Sequence, residues 1–242
     1  IEKLISVYPN IVILFFVVGG VLLVIGMTRI EIDTVFSEYY PPESPVRKTI
    51  NLMDEQFLGT ENMEVLLETK TEGSFRDPEM LHALESIKTW LEIRYPELVT
   101  YNWTMNNQLK QTHKKLMGSD EEAYNIPKSP ELISQLLLLI EGGDYEDLER
   151  VVSIDYANAR MSVSLKTIGS KKSVELINVV QPELERIIAP MKKRYPSLKI
   201  TVTGRVGAWA RVFDAISWSQ IRSFGIAFLI ISLIMVGIFG SL

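Results

Sequence analysis

The chain has 242 residues, 47% of them hydrophobic, with a net charge of −5 and no cysteine. The acidic balance argues against a nucleic-acid surface, which needs a basic face. The lack of cysteine excludes disulfides, thiol catalysis and cysteine-ligated metals, while leaving the compartment open.

The first predicted element is an apolar helix. "IVILFFVVGGVLLVIGM", Ile11 to Met27, is seventeen residues without a charge. A hydrocarbon core of about 30 Å needs roughly 20 helical residues, which the run reaches with its flanks. A signal peptide is the competing reading, but "TRIEIDTVF" follows, charged and bulky, with no small-residue cleavage site. Residues 1–29 are therefore read as a short pre-helix and a first transmembrane helix, and 30–59 as a membrane-proximal connector.

The chain then repeats itself, which a search for internal periods is meant to catch. "MEVLLETKTEGS" from Met63 pairs with "MSVSLKTIGS" from Met161, and "RYPELVTY" from Arg94 pairs with "RYPSLKIT" from Arg194. The two matches come in the same order at similar spacing. In each copy Val65 and Leu67, or Val163 and Leu165, alternate with other residues at the period of two of a half-buried strand. Each copy thus predicts strand, helix, strand.

In the first copy, residues 60–105, Asp77 caps a helix that opens on Pro78 and carries Met80, Leu84, Ile87 and Leu91 inward until Pro96 ends it. In the second, residues 150–205, Ser173 is the expected cap, with Ile177, Val180, Leu184, Ile187 and Met191 inward. Pro182 and Pro190 complicate that helix, because an interior proline removes a donor and crowds the preceding turn, and a kink is expected near Pro182. Tandem βαβ units most simply form a ferredoxin-like α+β sandwich, two helices on one face of a four-stranded antiparallel sheet. Between the copies, residues 106–149 predict a helical insertion whose apolar stripe is Leu132, Ile133, Leu136, Leu137 and Ile140. It reads as a lid packed on the sandwich and as a mobile cover over a hydrophobic ligand path, two readings that do not exclude each other.

Residues 206–242 predict a connecting helix and a second transmembrane helix. "FGIAFLIISLIMVGIFGSL", Phe224 to Leu242, has no charge, and twelve of its nineteen residues are Leu, Ile, Val or Phe. At about −0.3 to −0.6 kcal/mol each, they contribute roughly −4 to −7 kcal/mol toward insertion. A buried core helix is the competing reading of both runs. Two spans would put residues 30–221 on one side of the membrane. Lys3 is the one basic residue before the first span, and the intervening segment is too long for loop charge to set orientation. Just before the second run, Trp209, Phe213 and Ile216 share a helical face, with Trp218 a little farther round. They read as an interfacial aromatic belt or, with Phe36 and Tyr40 of the connector, as the lining of a substrate path.

Catalytic signatures are absent. His82 and His113 are not in an H-E-x-x-H pattern and read as surface helical histidines. The chain contains no G-x-S-x-G elbow and no G-x-x-x-x-G-K-[ST] loop. The acidic clusters Asp120, Glu121, Glu122 and Asp144, Glu146, Asp147 read as solvated loops. Asn102 begins a glycosylation sequon. No enzyme activity, cofactor or metal site is expected.

The order of parts resembles a known family. "EYYPPESPVRKTINLMDEQFLGTENMEVLLET", the duplicated βαβ plan and "ITVTGRVGAWARVFDAISWSQIRSFGIAFLIISLIMVG" are together similar to the RND superfamily of transporters, especially its MMPL-like, hydrophobe/amphiphile efflux-3 branch. The resemblance implies an exterior porter domain between the first two transmembrane helices of a longer exporter, driven by the proton-motive force and carrying hydrophobic or lipid-like molecules. It also implies that residues 30–221 lie on the exterior or periplasmic side of a multi-pass protein of the cell membrane. The partners it implies are the bilayer, a lipid-like substrate, the remaining transmembrane helices and, as an open possibility, further copies of the chain; nucleic acid is not among them. Proton-carrying acids in that family lie on later helices, and neither apolar run here holds an ionisable residue. The alternative is a receptor or sensor with two spans and an exterior α+β ligand-binding domain. Sterol-sensing or protein-translocation relatives are a third reading within the superfamily.

Overall fold

The computed structural model describes residues 9–27, 33–118, 121–143 and 145–239; Lys3, Asp120 and Asp144 lie outside them. The chain divides into two units, Ile1–Asp33 and Thr34–Leu242.

In the first unit, helix α1 spans Pro9–Met27. Its nineteen residues rise about 28 Å, and proline suits its first position, where the missing N–H would be unsatisfied anyway. Ile11, Phe15, Leu22 and Leu23 are all strongly exposed, so the helix turns apolar side chains outward in several directions.

The second unit is an α+β fold around one four-stranded antiparallel sheet. After a 3₁₀ turn at Phe36–Tyr39, Ser44 caps helix α2 (Pro45–Gln56) by accepting from the Arg47 N–H. Strand β1 (Glu61–Glu68) follows, then α3 (Pro78–Arg94), β2 (Val99–Trp103), α4 (Met105–Leu116), α5 (Pro130–Glu141) and the short α6 (Tyr145–Glu149). Strand β3 (Asn158–Leu165), α7 (Ser170–Ile188), β4 (Lys199–Thr203) and α8 (Gly204–Phe239) complete the chain order.

The sheet order is β2-β3-β1-β4, so each strand–helix–strand segment is split by a strand of the other. Met63, Val65 and Leu67 of β1 are fully buried and alternate with half-buried neighbours, as do Met161, Val163 and Leu165 of β3. Register pairs Met63 with Val163 and Val65 with Met161, centred on Glu64 opposite Ser162. The two matched segments therefore lie across one another with their equivalent residues exchanged. Both Arg-Tyr-Pro-x-Leu turns close alike, the leucine N–H donating to the tyrosine carbonyl at 3.1 Å for Leu98 and 2.9 Å for Leu198.

Asp77 caps α3, its Oδ1 accepting from the Glu79 N–H at 3.1 Å. Its Oδ2 accepts from the Tyr195 hydroxyl at 2.9 Å and pairs with Arg194 at 2.8 Å, fastening the second turn motif to the first helix. Burial and the Asp77 bond push the Tyr195 phenol up to about 12.

The second helix departs from the sequence reading at both ends. Its cap is Gly169, and Ser173 lies inside the first turn with its hydroxyl donating to the Gly169 carbonyl at 2.9 Å. A serine bonded to its own i−4 carbonyl continues a helix instead of opening one. The helix runs unbroken through Pro182 and ends before Pro190, which falls in a 3₁₀ turn at Ala189–Lys193. Leu176, Val180, Leu184 and Ile188 form the buried face, with Ile177, Ile187 and Met191 at its margin.

The insertion shares the main core. Ile133, Leu136, Leu137 and Ile140 are buried in the same cluster as the sheet, with Leu132 packed against it, whereas Leu138 and Leu139 are exposed. Thr104 and Asn107 form a reciprocal capping box at the start of α4. Tyr156, just before β3, donates to Glu141 of α5 at 2.5 Å, and Arg76 lies 4.3 Å above its ring. Both the burial of that ring and its bond to Glu141 push the phenol upward. One of the two histidines that read as surface groups is interior, and so is the sequon asparagine. His113 is buried with Nδ1 3.1 Å from the Asn125 carbonyl oxygen, because α5 and the preceding loop cover that face of α4; His82 is exposed. Asn102 is buried on β2 with its amide donating to Glu92, so the sequon is closed to modification in the folded chain.

Helix α8 is one continuous rod from the end of β4. Among the described residues, Gly204–Ile238 is the helix long and apolar enough, by length and composition, to cross a membrane. At 1.5 Å per residue its 36 residues rise about 54 Å, well beyond a hydrocarbon core of about 30 Å. Val206, Gly207 and Ala210 pack on the domain; from Ile221 to Ile238 every side chain is exposed.

Candidate functional site

The last strand of the sheet turns directly into the long helix, and a hollow of about 310 Å³ opens beside that junction. Four parts of the chain build it, one of them the start of β1 with Glu61. The Phe36–Tyr39 turn supplies Thr34, Phe36 and Tyr39; the approach to α7 supplies Ile168, Ser170 and Ser173; and the first turns of α8 supply Arg205, Val206, Trp209 and Phe213. Residues 205, 209 and 213 recur at i+4, which stacks them along one helical face. The Trp209 and Phe213 rings lie 5.4 Å apart at 29°, an offset stack. Phe36 meets Tyr39 and Tyr40 edge to face, at 6.3 and 5.8 Å.

The connector is held in place by two hydrogen bonds to one residue: the Thr34 N–H donates to Ser170 Oγ at 2.9 Å, and the Ser170 N–H donates to the Thr34 carbonyl at 3.0 Å. Helix α2 is fixed by Asp54, which accepts from the Thr167 N–H at 3.1 Å and the Thr60 hydroxyl at 3.4 Å.

A second hollow of about 410 Å³ adjoins the first, lined by Ile50, Met53 and Gly59 among others, and the two share Phe36, Glu61 and Arg205 as a wall. In that wall the Arg205 Nε donates to Glu61 Oε2 at 3.0 Å. The carboxylate side chain is 12% exposed and the arginine 50%. Burial pushes the Glu61 carboxyl up; the charge and hydrogen bond of Arg205 oppose this, Asp54 adds to it, and the net shift is upward.

Two glycines set this pair. Gly59 has φ +83° and Gly204 has φ +84°, a region that side chains other than glycine rarely enter. A Cβ on Gly204 would stand 2.7 Å from the Glu64 backbone nitrogen, and one on Gly59 2.1 Å from the Leu165 carbonyl oxygen. Close backbone approach at both points delivers Glu61 and Arg205 to the same wall.

Of the five residues singled out from the sequence, Phe36, Trp209 and Phe213 line the hollow. Tyr40 packs on Phe36 while its neighbour Tyr39 takes the lining position; the Tyr40 carbonyl accepts from Arg47. Trp218 is 67% exposed, farther along α8, and is not part of the hollow. Sequence reading missed Arg205, although it occupies the same i+4 row as Trp209 and Phe213. It also missed Glu61, which carries no local signal because its partner lies 144 residues away.

The arrangement can bury an apolar chain and hold one charge beside it. Among the described residues no group of three or more His, Asp or Glu is placed to hold a metal ion. No protein-family model matches this chain, and no curated protein matches it significantly.

Proposed function

We propose that this chain is the porter-domain portion, with the first two transmembrane helices, of a proton-motive-force-driven RND-type exporter of hydrophobic or amphiphilic, lipid-like molecules. In this reading α1 and α8 are the two spans, the segment between them is a ferredoxin-like domain made by duplication of a βαβ unit, and it stands on the exterior side of the membrane. The observation that carries the reading is the aromatic hollow at the point where β4 becomes a helix of membrane-spanning length. A ligand leaving the outer leaflet along α8 would reach Phe213 and Trp209 first. The exchange of equivalent residues between β1 and β3 supports the duplication, because gene-doubled units related by a two-fold axis pair in this way.

Photo-crosslinking amino acids at positions 209 and 213 of the full-length protein, exposed to lipid analogues in membranes, test the reading. Labelling should exceed that from the exposed control position Glu185 several-fold; labelling no stronger than the control overturns it.

A further inference from the structure

The chemistry of the wall between the two hollows narrows what the aromatic one can hold. Its sides are mostly carbon, from Phe36, Ile168, Val206, Trp209 and Phe213. Two of its hydroxyls are already engaged, Ser170 by the Thr34 N–H and Ser173 by the Gly169 carbonyl. Arg205 is the cation of the lining, and its bond to Glu61 uses Nε alone; neither Nη nitrogen has a protein partner among the described residues. A guanidinium is built to take an anion through two parallel N–H donors, and a half-exposed one can do so without leaving its place. Glu61 is the weaker party. Its carboxylate is largely buried, receives one donor and lies near Asp54. From Arg205 to Phe213 the helix rises about 12 Å, so a chain laid along this face starts at a charge and ends among rings.

We propose that the aromatic hollow binds single-chain anionic amphiphiles, the chain lying along Trp209 and Phe213 and the carboxylate or phosphate head taking the place of Glu61 on Arg205. This rests on the reading of the hollow as a ligand site and names the class of ligand. Glu61 then acts as a built-in competitor: it satisfies Arg205 when the hollow is empty and gives it up when an anion arrives. Neutral lipids of equal chain length gain the aromatic contacts but leave that exchange unmade.

The test uses the chain in phosphatidylcholine nanodiscs, with equilibrium binding of dodecanoate, dodecyl phosphate and dodecanol measured by titration calorimetry. At least one of the two anions should bind about tenfold or more tightly than dodecanol, as expected for a charge-assisted bond, and the better anion identifies the headgroup. Shortening dodecanoate to decanoate should weaken binding by up to about fourfold per methylene lost. Arg205→Gln should bring the anions down to dodecanol, and Phe213→Ala should weaken all three alike. The decisive variant is Glu61→Gln, which should strengthen anion binding several-fold with dodecanol unchanged; a merely structural ion pair would give loss instead. Equal binding of all three probes, or weaker anion binding in Glu61→Gln, overturns this inference and leaves the hollow a general apolar site. Failure of all three to bind overturns both the inference and the ligand-site reading beneath it.

Discussion

At the insertion end of the second unit, Glu85 of α3 accepts from Lys110 of α4 at 2.6 Å and from the Asn106 amide at 3.1 Å. At the aromatic hollow, Glu61 accepts from Arg205 at 3.0 Å. Both are partly buried carboxylates facing a cation, yet their chemistry diverges. Burial pushes the Glu85 carboxyl up, but the Lys110 and Asn106 hydrogen bonds, with the Lys110 and Lys88 charges, outweigh it and hold the group below its usual range. At Glu61 burial prevails over a single donor. The number of donors, not the presence of an opposite charge, separates a clamp from a replaceable contact. The same division runs through the two strand–helix–strand segments: the first leads from β2 into a capped, core-packed insertion, the second leads from β4 into an exposed helix beside a hollow.

The largest effect expected from this contrast is on stability. Lys110→Met should cost about 3 kcal/mol, because Lys110 is 9% exposed and the partly buried Glu85 would lose its paired cation, keeping only the Asn106 bond and the Lys88 charge. Arg205→Gln should cost no more than about 1 kcal/mol, since that arginine is half exposed. Denaturant titration of both variants measures the gap, and equal losses would erase the distinction.

Gly204→Ala comes next, at about 2 kcal/mol, from the left-handed backbone and the clash with β1. Its effect should be local. The Glu61 carbon-13 carboxyl signal should move while that of Glu85 stays; movement of both would mean that the two ends are not independent.

The pH dependence sharpens the comparison further. Glu85 has a folded value below its ordinary 4.5, so its contribution to stability is present above that pH and is lost as pH falls through the folded value. Glu61 has a folded value above 4.5, so its contribution is present below that pH and is lost as pH rises through the folded value. Carboxyl titration by NMR should place the two midpoints on opposite sides of 4.5; midpoints on one side would break the comparison. The smallest effect is expected outside the hollow. Trp218→Ala should change dodecanoate binding by less than about twofold, whereas Trp209→Ala should weaken it by up to about tenfold, the worth of a favourable aromatic contact.

Much of the scaffold was legible because its signals are local. Alternation at Val65, Leu67, Val163 and Leu165 marked the central strands, Asp77 and Pro78 marked the start of α3, and Pro96 marked its end. The i+4 row of Trp209 and Phe213 marked the wall of the hollow. Failures came where a side chain had two uses. Ser173 has the chemistry of a cap but bonds backward to Gly169. Tyr39 and Tyr40 are equivalent in sequence, and the turn at Phe36–Tyr39 chooses between them. His113 looks like a surface group until neighbouring elements cover it, and the Asn102 sequon is unmarked as interior by anything local.

The sequence by itself determined the apolar runs and the strand and helix periods, because each depends on residues within a few turns of one another, and the internal match, because it is written in the order of residues and needs no contact between them. Only the tertiary structure decided that Glu61 meets Arg205 and that the aromatic face of α8 becomes one side of a hollow. Those contacts join residues up to 144 positions apart and depend on backbone approach at Gly59 and Gly204. Geometry of that kind is set by sheet register and by the packing of one element on another, so it leaves no periodic trace along the chain.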